Sequence, residues 1–301
     1  MKDYKQIGDK IVDNLGKNFK IVDKSFLIEA FQKENFQISD EKAELLFRFY
    51  ELLIRKNEVM NLTAITEFTQ VVYKHFLDSV YGGRLIEDGK ICCEHSINHF
   101  PDVSVIDVGT GAGFPGIPLK ICYPELKITL MDSLNKRVGF LNEVIGELGL
   151  SDIQAVHSRA EDLGRNPEYR EQFDFAVSRA VADLSVLSEY CLPFVKTGGA
   201  FISYKGGDVE EELNHSKKAI ELLGGHVADV ISFSYQIGKA SYQIGKSSKL
   251  SCDTKSLCED SHAGAEEVCQ RSFIIIKKVK ATAKKYPRKA GTPGKMPLGR
   301  Q

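Results

Sequence analysis

The chain has 301 residues, 43% of them hydrophobic and 27% charged, and 40 Lys and Arg stand against 41 Asp and Glu for a net charge of −1. This is an ordinary globular composition, so a disordered or collagen-like chain is excluded, and a neutral total by itself points to no polyanionic partner. The length suits one large domain with appendages. No apolar run approaches the ~20 residues that span a bilayer. The start, MKDYKQIGDKIVDNLGKNFK, lacks the apolar core of a signal peptide. Seven scattered cysteines, an odd number, fit free thiols in a reducing cytoplasm better than a disulfide framework.

The N-terminal part of the chain reads as helical. From Asp40 to Asn57, Leu45, Leu46, Phe49, Leu52 and Leu53 form one apolar stripe at helical spacing. Ser39 is the expected N-cap, with Asp40 and Glu41 favourably placed in the first turn. A second helix is expected over Phe68–Arg84, after the polar connection NLTAIT (Asn61–Thr66).

Beyond Pro101 the pattern changes to short apolar runs: VSVIDV (103–108), KITLM (127–131), DIQAV (152–156), FDFAVS (173–178), GAFISY (199–204), VADVISFSY (227–235) and RSFIIIKKV (271–279). Helix-length segments separate the first five, the rhythm of βαβ units and a largely parallel sheet. The last two have no clear helix between them and read as an antiparallel edge hairpin. The segments 86–101 and 236–270 look like insertions. The second opens with a tandem repeat, SYQIGKA (234–240) followed by SYQIGKS (241–247), far shorter than a solenoid period.

The strongest chemical signal is VIDVGTGAGFPGIPL (105–119), where an apolar strand ends in Asp107 and runs into Gly109, Gly111 and Gly113 before a helix beginning near Pro115. Glycines allow a tight turn and close approach of a ligand, and a helix start offers free N–H groups. A dinucleotide G-x-G-x-x-G pattern fails from Gly109, because Phe114 occupies its last position. From Gly111 it starts too late after the strand and encloses Pro115. The other reading is the acidic-strand-then-glycines turn of S-adenosylmethionine (SAM) methyltransferases. The next strand ends in Asp132, placed to accept hydrogen bonds from ribose hydroxyls or to start the following helix.

The third strand leads into HSRAED, with Ala160 and Glu161 where an adenine would lie. The fourth leads into SRAVADL. No Asn/Asp-Pro-Pro-aromatic motif and no Pro-Cys pair follows it, so neither positioning of an exocyclic amine nor a cysteine nucleophile is indicated. Guanine N7 fits that gap, since its lone pair can attack a methyl group without a general base, and no catalytic acid–base residue is expected. Residues 277–301 carry nine Lys and Arg and no acid, which leaves −10 on the rest. Such a tail suits a phosphate backbone, or is simply solvated. Cys92, Cys93, His95 and His99, and likewise Cys252, Cys258, His262 and Cys269, lack paired zinc-ligand spacing, so no metal is expected.

Taken together, NLTAIT with KHFLDS (74–79), DVGTGAGFPGIPL, DSLNKRVGFL (132–141), SRAED, FDFAVSRAVADL and YPRKAGTPGKMPL resemble the RsmG/GidB family of bacterial 16S rRNA methyltransferases that make N7-methylguanine. The resemblance implies a Rossmann-like α/β fold: a seven-stranded, mostly parallel SAM-dependent methyltransferase sheet with an antiparallel edge hairpin and an N-terminal helical region. The segments are then 1–85 for the helices, 86–101 for an insertion, 102–280 for the methyltransferase domain interrupted at 236–270, and 281–301 for the basic tail.

A cytoplasmic monomer is expected, and the resemblance implies methylation of guanine 527 in the 530 loop of 16S rRNA, free or in the 30S subunit. Gly109, Gly111, Gly113, Phe114, Asp132, Ala160, Glu161 and Arg179 would face SAM, and Arg179 could instead be a structural ion-pair partner. Asn61, His75, Lys205, Arg288 and Lys289 are substrate candidates. For His75, and for Asp78 on the same helix face, a structural hydrogen bond stands equally open. Methylation of another RNA and non-catalytic rRNA binding are the alternatives.

Overall fold

The computed structural model describes residues 11–13, 20–22, 24–89, 91, 103–179, 181–237, 243–244 and 268–299. The chain divides into two compact units, one running to Ala160 and the other from Glu161 onward apart from a short excursion at 93–95.

The first unit begins with two three-residue strands, β1 (Ile11–Asp13) and β2 (Lys20–Val22), paired antiparallel where only helix was expected. Helix α1 (Lys24–Lys33) precedes the long α2 (Asp40–Met60). As the sequence indicated, Ser39 caps α2: its side chain accepts from the Lys42 N–H at 3.3 Å. The expected second helix is a composite of α3 (Phe68–Val71), a π-helical stretch (Val72–Leu77) and α4 (Asp78–Glu87). Most of its residues are buried, and such π-helical insertions recur at functional sites.

The alternation then starts: β3 (Ser104–Val108), α5 (Gly116–Cys122), β4 (Lys127–Asp132), α6 (Asn135–Glu147) and β5 (Ile153–His157). β3 pairs parallel with β4, Val108 opposite Met131, and β4 pairs parallel with β5, Asp132 opposite His157. β3 and β4 are buried along nearly their whole length, as continuous apolar runs should be between two helical layers. β5 is half exposed, in keeping with its more polar sequence. Lys42 of α2 donates to the Cys122 carbonyl at 2.6 Å and Lys56 pairs with Glu143 of α6, so polar ties reinforce the packing of α2 on α5 and α6.

The second unit holds α7 (Ala160–Leu163, entered from the first unit), β6 (Phe173–Arg179), α8 (Leu184–Cys191), a 3₁₀ turn (Leu192–Phe194), β7 (Val195–Gly206), α9 (Glu210–Leu222), β8 (Gly225–Gln236), β9 (Gln243–Ile244), β10 (Val268–Lys278) and α10 (Thr292–Lys295). β6 and β7 are parallel, with Arg179 opposite Tyr204. β10 runs antiparallel to both β7 and β8 and lies between them, so the last strand is inserted rather than added at the rim. The seven strands β3–β8 and β10 are the seven runs read from sequence, mostly parallel with the antiparallel pair. A short strand is added to the sheet: β9, within the second heptapeptide, pairs antiparallel with the end of β8, Phe233 opposite Ile244.

Candidate functional site

The glycine-rich turn is built between two carboxylates. Asp107, fully buried near the end of β3, accepts from the Thr110 hydroxyl at 2.6 Å and the Gly116 N–H at 2.8 Å through one oxygen. Asp132, at the end of β4, accepts from the Gly111 N–H at 3.0 Å and from the Leu134 N–H at 2.8 Å, with Arg137 3.4 Å away. The Gly109 and Thr110 N–H groups both donate to the Met131 carbonyl, which hooks the turn onto β4. Gly109, Gly111 and Gly113 have φ of 72°, 62° and 98°. Residues with a Cβ rarely adopt these values, and this accounts for the three alternating glycines.

This geometry corrects one sequence expectation. The start of α5 does not present free N–H groups: that of Gly116 is taken by Asp107, those of Ile117 and Leu119 by the Gly113 and Pro115 carbonyls, and Pro118 has none. The turn is therefore no cradle for a pyrophosphate, which argues against the dinucleotide reading on physical grounds. It fits a donor that carries a nucleoside and an amino-acid end. A Cβ built on Gly111 would meet nothing within 4 Å, so the turn offers space there. The buried Asp132 carboxylate, with room for about four hydrogen bonds, is a further polar partner beside it. Leu134, 52% exposed two residues on, is an apolar surface beside that carboxylate which sequence reasoning missed.

Phe114 is buried, and its ring stacks on His75 with centroids 4.5 Å apart and lies 5.3 Å from Phe49. In the composite helix, His75 Nδ1 meets the Lys74 carbonyl at 3.1 Å and Nε2 meets Thr63 Oγ1 at 3.0 Å. A carbonyl only accepts, so Nδ1 donates to it, and when the ring is neutral Nε2 accepts from the hydroxyl. The NLTAIT connection is folded around the same group, since the Asn57 side chain bonds both the N–H and the carbonyl of Thr63. The structural hydrogen bond left open for His75 is thus present. Asn61 is exposed, and its φ of 49° closes α2 in the left-handed conformation. Asp78 is buried.

In the second unit, Arg179 ends β6 and Lys205 lies one residue past the Arg179–Tyr204 pairing, so two cations sit on adjacent strand ends. Lys205 is engaged: its Nζ donates to Glu212 at 2.6 Å and to the Ala182 carbonyl at 3.1 Å, while the same Glu212 oxygen accepts from the Leu184 N–H. It fastens α8 and α9 to β7. Ala160 and Glu161 open α7, both buried, and Glu161 Oε1 accepts from the Gly291 N–H at 2.8 Å.

The basic tail is not a loose appendage. Arg288 grips Glu189, which is fully buried, through Nε and Nη2, and its own N–H donates to the same carboxylate at 2.7 Å. Lys278, 1% exposed, donates to the Leu192 and Val195 carbonyls and the Thr282 hydroxyl and faces Glu171 at 3.2 Å. Burial pushes its ammonium down to about 8, with Glu171 acting in the opposite direction. Of the nine tail cations, Lys278 is therefore internal and the Arg288 guanidinium is committed to an ion pair. Lys277, Lys280, Lys284, Lys285, Lys289 and Lys295 face solvent, and Arg300 lies outside the described residues. Glu189, inside SEYC, and Arg170, which binds the carbonyls of Gly164, Thr282 and Tyr286, carried no local signal. The histidine and cysteine groups of the two insertions also lie outside the described residues, except for Cys269, which is buried. No helix among the described residues is long and apolar enough to cross a membrane.

An acidic strand end tied to a three-glycine turn, a second acidic strand end beside it, and a mostly parallel sheet closed by an antiparallel pair define a SAM-dependent methyltransferase. The chain belongs to the rRNA small subunit methyltransferase G family, whose model matches residues 42–240. It is 44% identical over 275 residues to ribosomal RNA small subunit methyltransferase G of Alkaliphilus metalliredigens, covering 91% of this chain and 98% of that one. The protein of the same name from Lachnoclostridium phytofermentans is 44% identical over 279 residues, covering 93% and 99%. Among solved structures, a putative RNA methyltransferase from Pyrococcus horikoshii is similar at 12% identity, with a TM-score of 0.42 over 68% of this chain and 84% of that one.

Proposed function

We propose that this chain transfers the methyl group of SAM to N7 of guanine 527 in the 530 loop of 16S rRNA, as a cytoplasmic monomer. The observation that carries the donor assignment is the turn held between Asp107 and Asp132, with the N–H groups at the start of the following helix spent internally and open space at Gly111. The target follows from family membership. Gly109, Gly111, Gly113 and Phe114 would line the amino-acid end, with the open space at Gly111. Asp132 would accept from the ribose, and Ala160 and Glu161 would face the adenine.

When bound, SAM supplies an electrophilic methyl on a sulfonium. The N7 lone pair of guanine needs no deprotonation, so no residue has to act as a base. The chain's contribution is alignment and exclusion of water, effects that reach about 7–11 kcal/mol in well-oriented reactions. Arg179, at a strand end, would face donor or substrate. Asn61, His75 and the exposed Lys289 remain substrate candidates, whereas Lys205 and Arg288 would act through the elements they fasten. The segments 1–85 and 281–301, which precede and follow the methyltransferase domain (102–280) in the chain, would carry the RNA-facing surfaces.

The test is chemical mapping of N7-methylguanine in 16S rRNA from cells with and without the gene. Position 527 should lose its methyl group in the deletion strain. An unchanged 530 loop would overturn the substrate assignment. Assay of the purified protein on naked 16S rRNA and on 30S subunits would then separate the two substrate forms.

A further inference from the structure

The segment after β10 is fixed by an unusual number of buried or half-buried side chains from its own unit. Arg170 binds the Thr282 and Tyr286 carbonyls at 2.6 and 2.8 Å, and Arg165 Nε binds the Pro287 carbonyl at 2.9 Å. Glu171 accepts from the Thr282 N–H at 2.7 Å. Arg288 is bidentate on the fully buried Glu189, and three residues later the Gly291 N–H meets Glu161 Oε1. Tyr190 follows Glu189 on α8. Burial raises the pKa of its hydroxyl, and Glu161 and Glu189 act in the same direction, which places it in the field of both carboxylates. Arginines on its carbonyls and carboxylates on its N–H groups are the pattern of a strap, fixed to its own unit with its lysines left exposed.

We infer that this strap positions Glu161 for the adenine of the methyl donor: Arg288, locked on Glu189, sets the Gly291 amide on Glu161 Oε1 and so aims Oε2 at the exocyclic amine. The inference rests on the reading above that Glu161 faces the adenine. A carboxylate has two oxygens and a rotatable stem. With Oε1 held by a backbone N–H, its orientation is fixed without spending the second oxygen. An amine at position 6 of the purine is a donor to that oxygen, and a carbonyl there is an acceptor that it repels. Arg288 and Gly291 are then positioning residues, and they set donor affinity and adenine selectivity without touching the donor.

The experiment is calorimetric titration with S-adenosylhomocysteine and its inosine counterpart, in the absence of RNA. Wild type should prefer the adenosine form. Glu161→Gln and Arg288→Met should each weaken that form about tenfold, the scale of one charge-assisted hydrogen bond, and leave the inosine form nearly unchanged. Arg288→Lys, which keeps the charge but not the fork, should restore part of the preference. The effects of Glu161→Gln and Arg288→Met should not add in the double variant. Because Arg288→Met leaves Glu189 buried and unpaired, Glu189→Met/Arg288→Met is measured as well, which removes both charges. A folded strap variant with the wild-type ratio of affinities would overturn the inference. Wild type that binds the adenosine form without preferring it would overturn it too. Wild type that binds neither compound would refute the donor site itself, a separately recognisable failure.

Discussion

Gly116→Ala separates local propensity from tertiary constraint. Gly116 opens α5 and has no left-handed φ, so on propensity alone alanine should stabilise the helix by about 1 kcal/mol. The structure predicts the opposite sign. A Cβ there would overlap Leu130 Cδ2 outright and lie 2.9 Å from Asp107 Oδ2. Leu130 and Asp107 are both fully buried on neighbouring strands, so neither has room to retreat. Overpacking of this kind costs about 1–3 kcal/mol. The displaced carboxylate also weakens its 2.8 Å bond from the Gly116 N–H, and hydrogen bonds to a charged group contribute about 1.5–3 kcal/mol. After the propensity gain the net loss is about 2–4 kcal/mol, a fall of roughly 3–6 °C in melting temperature for a chain of this size.

Gly139 and Gly146 on α6 are the controls. Both are exposed, a Cβ at either would meet nothing within 4 Å, and each should gain about 0.5–1 kcal/mol as alanine. Scanning calorimetry of the three variants at one scan rate decides the matter. If Gly116→Ala melts at or above wild type, the packing argument for the turn is wrong.

Three other predictions concern groups outside the turn. The Lys278 ammonium sits at about 8 in the fold, against about 10.4 unfolded. Between these values the unfolded state binds more protons, so wild type should gain stability relative to Lys278→Met as pH rises from 8 to 10. Denaturant titrations at both pH values test this, and a pH-independent difference would refute it. Burial pushes the Cys122 thiol up to about 12. Its peptide should therefore resist iodoacetamide at pH 8 in the native protein and react after unfolding, as read by mass spectrometry, and native labelling would contradict the burial. Replacing Lys284, Lys285, Lys289 and Lys295 by Gln should weaken RNA binding and flatten its log–log salt dependence by about 0.7 for each phosphate no longer neutralised. An unchanged slope would remove the tail lysines from the RNA interface. This variant is a cleaner probe than deletion of 281–301, which would also remove Thr282 and Arg288 from the hydrogen bonds that hold the fold.

The seven strand runs, the α2 cap at Ser39 and the glycine turn were legible because their causes are local. A buried parallel strand is an uninterrupted apolar run, a capped helix begins with Ser and acids, and a left-handed turn needs glycine. The position of β10 between β7 and β8 was not legible, since an antiparallel return strand can join at either side of its neighbour. The π-helical stretch Val72–Leu77 was equally hidden, because its apolar spacing differs little from that of an α-helix. At the turn itself, the sequence located Asp107 and Asp132 but not their occupancy. Only the structure shows that their oxygens take up the N–H groups an anion would need.

The net charge follows the same division. The sequence by itself determined that a charge of −1 conceals nine cations in the last 25 residues. It also determined the family, because motifs in a fixed order survive without any knowledge of contacts. What those cations do was decided by tertiary structure alone. Arg288 finds Glu189 across 99 residues of sequence, and Lys278 finds the Leu192 carbonyl across 86. A lysine that faces water and one that is buried look alike in a string of letters. Their difference lies in what surrounds them, and that depends on chain segments that periodicity and composition cannot bring together.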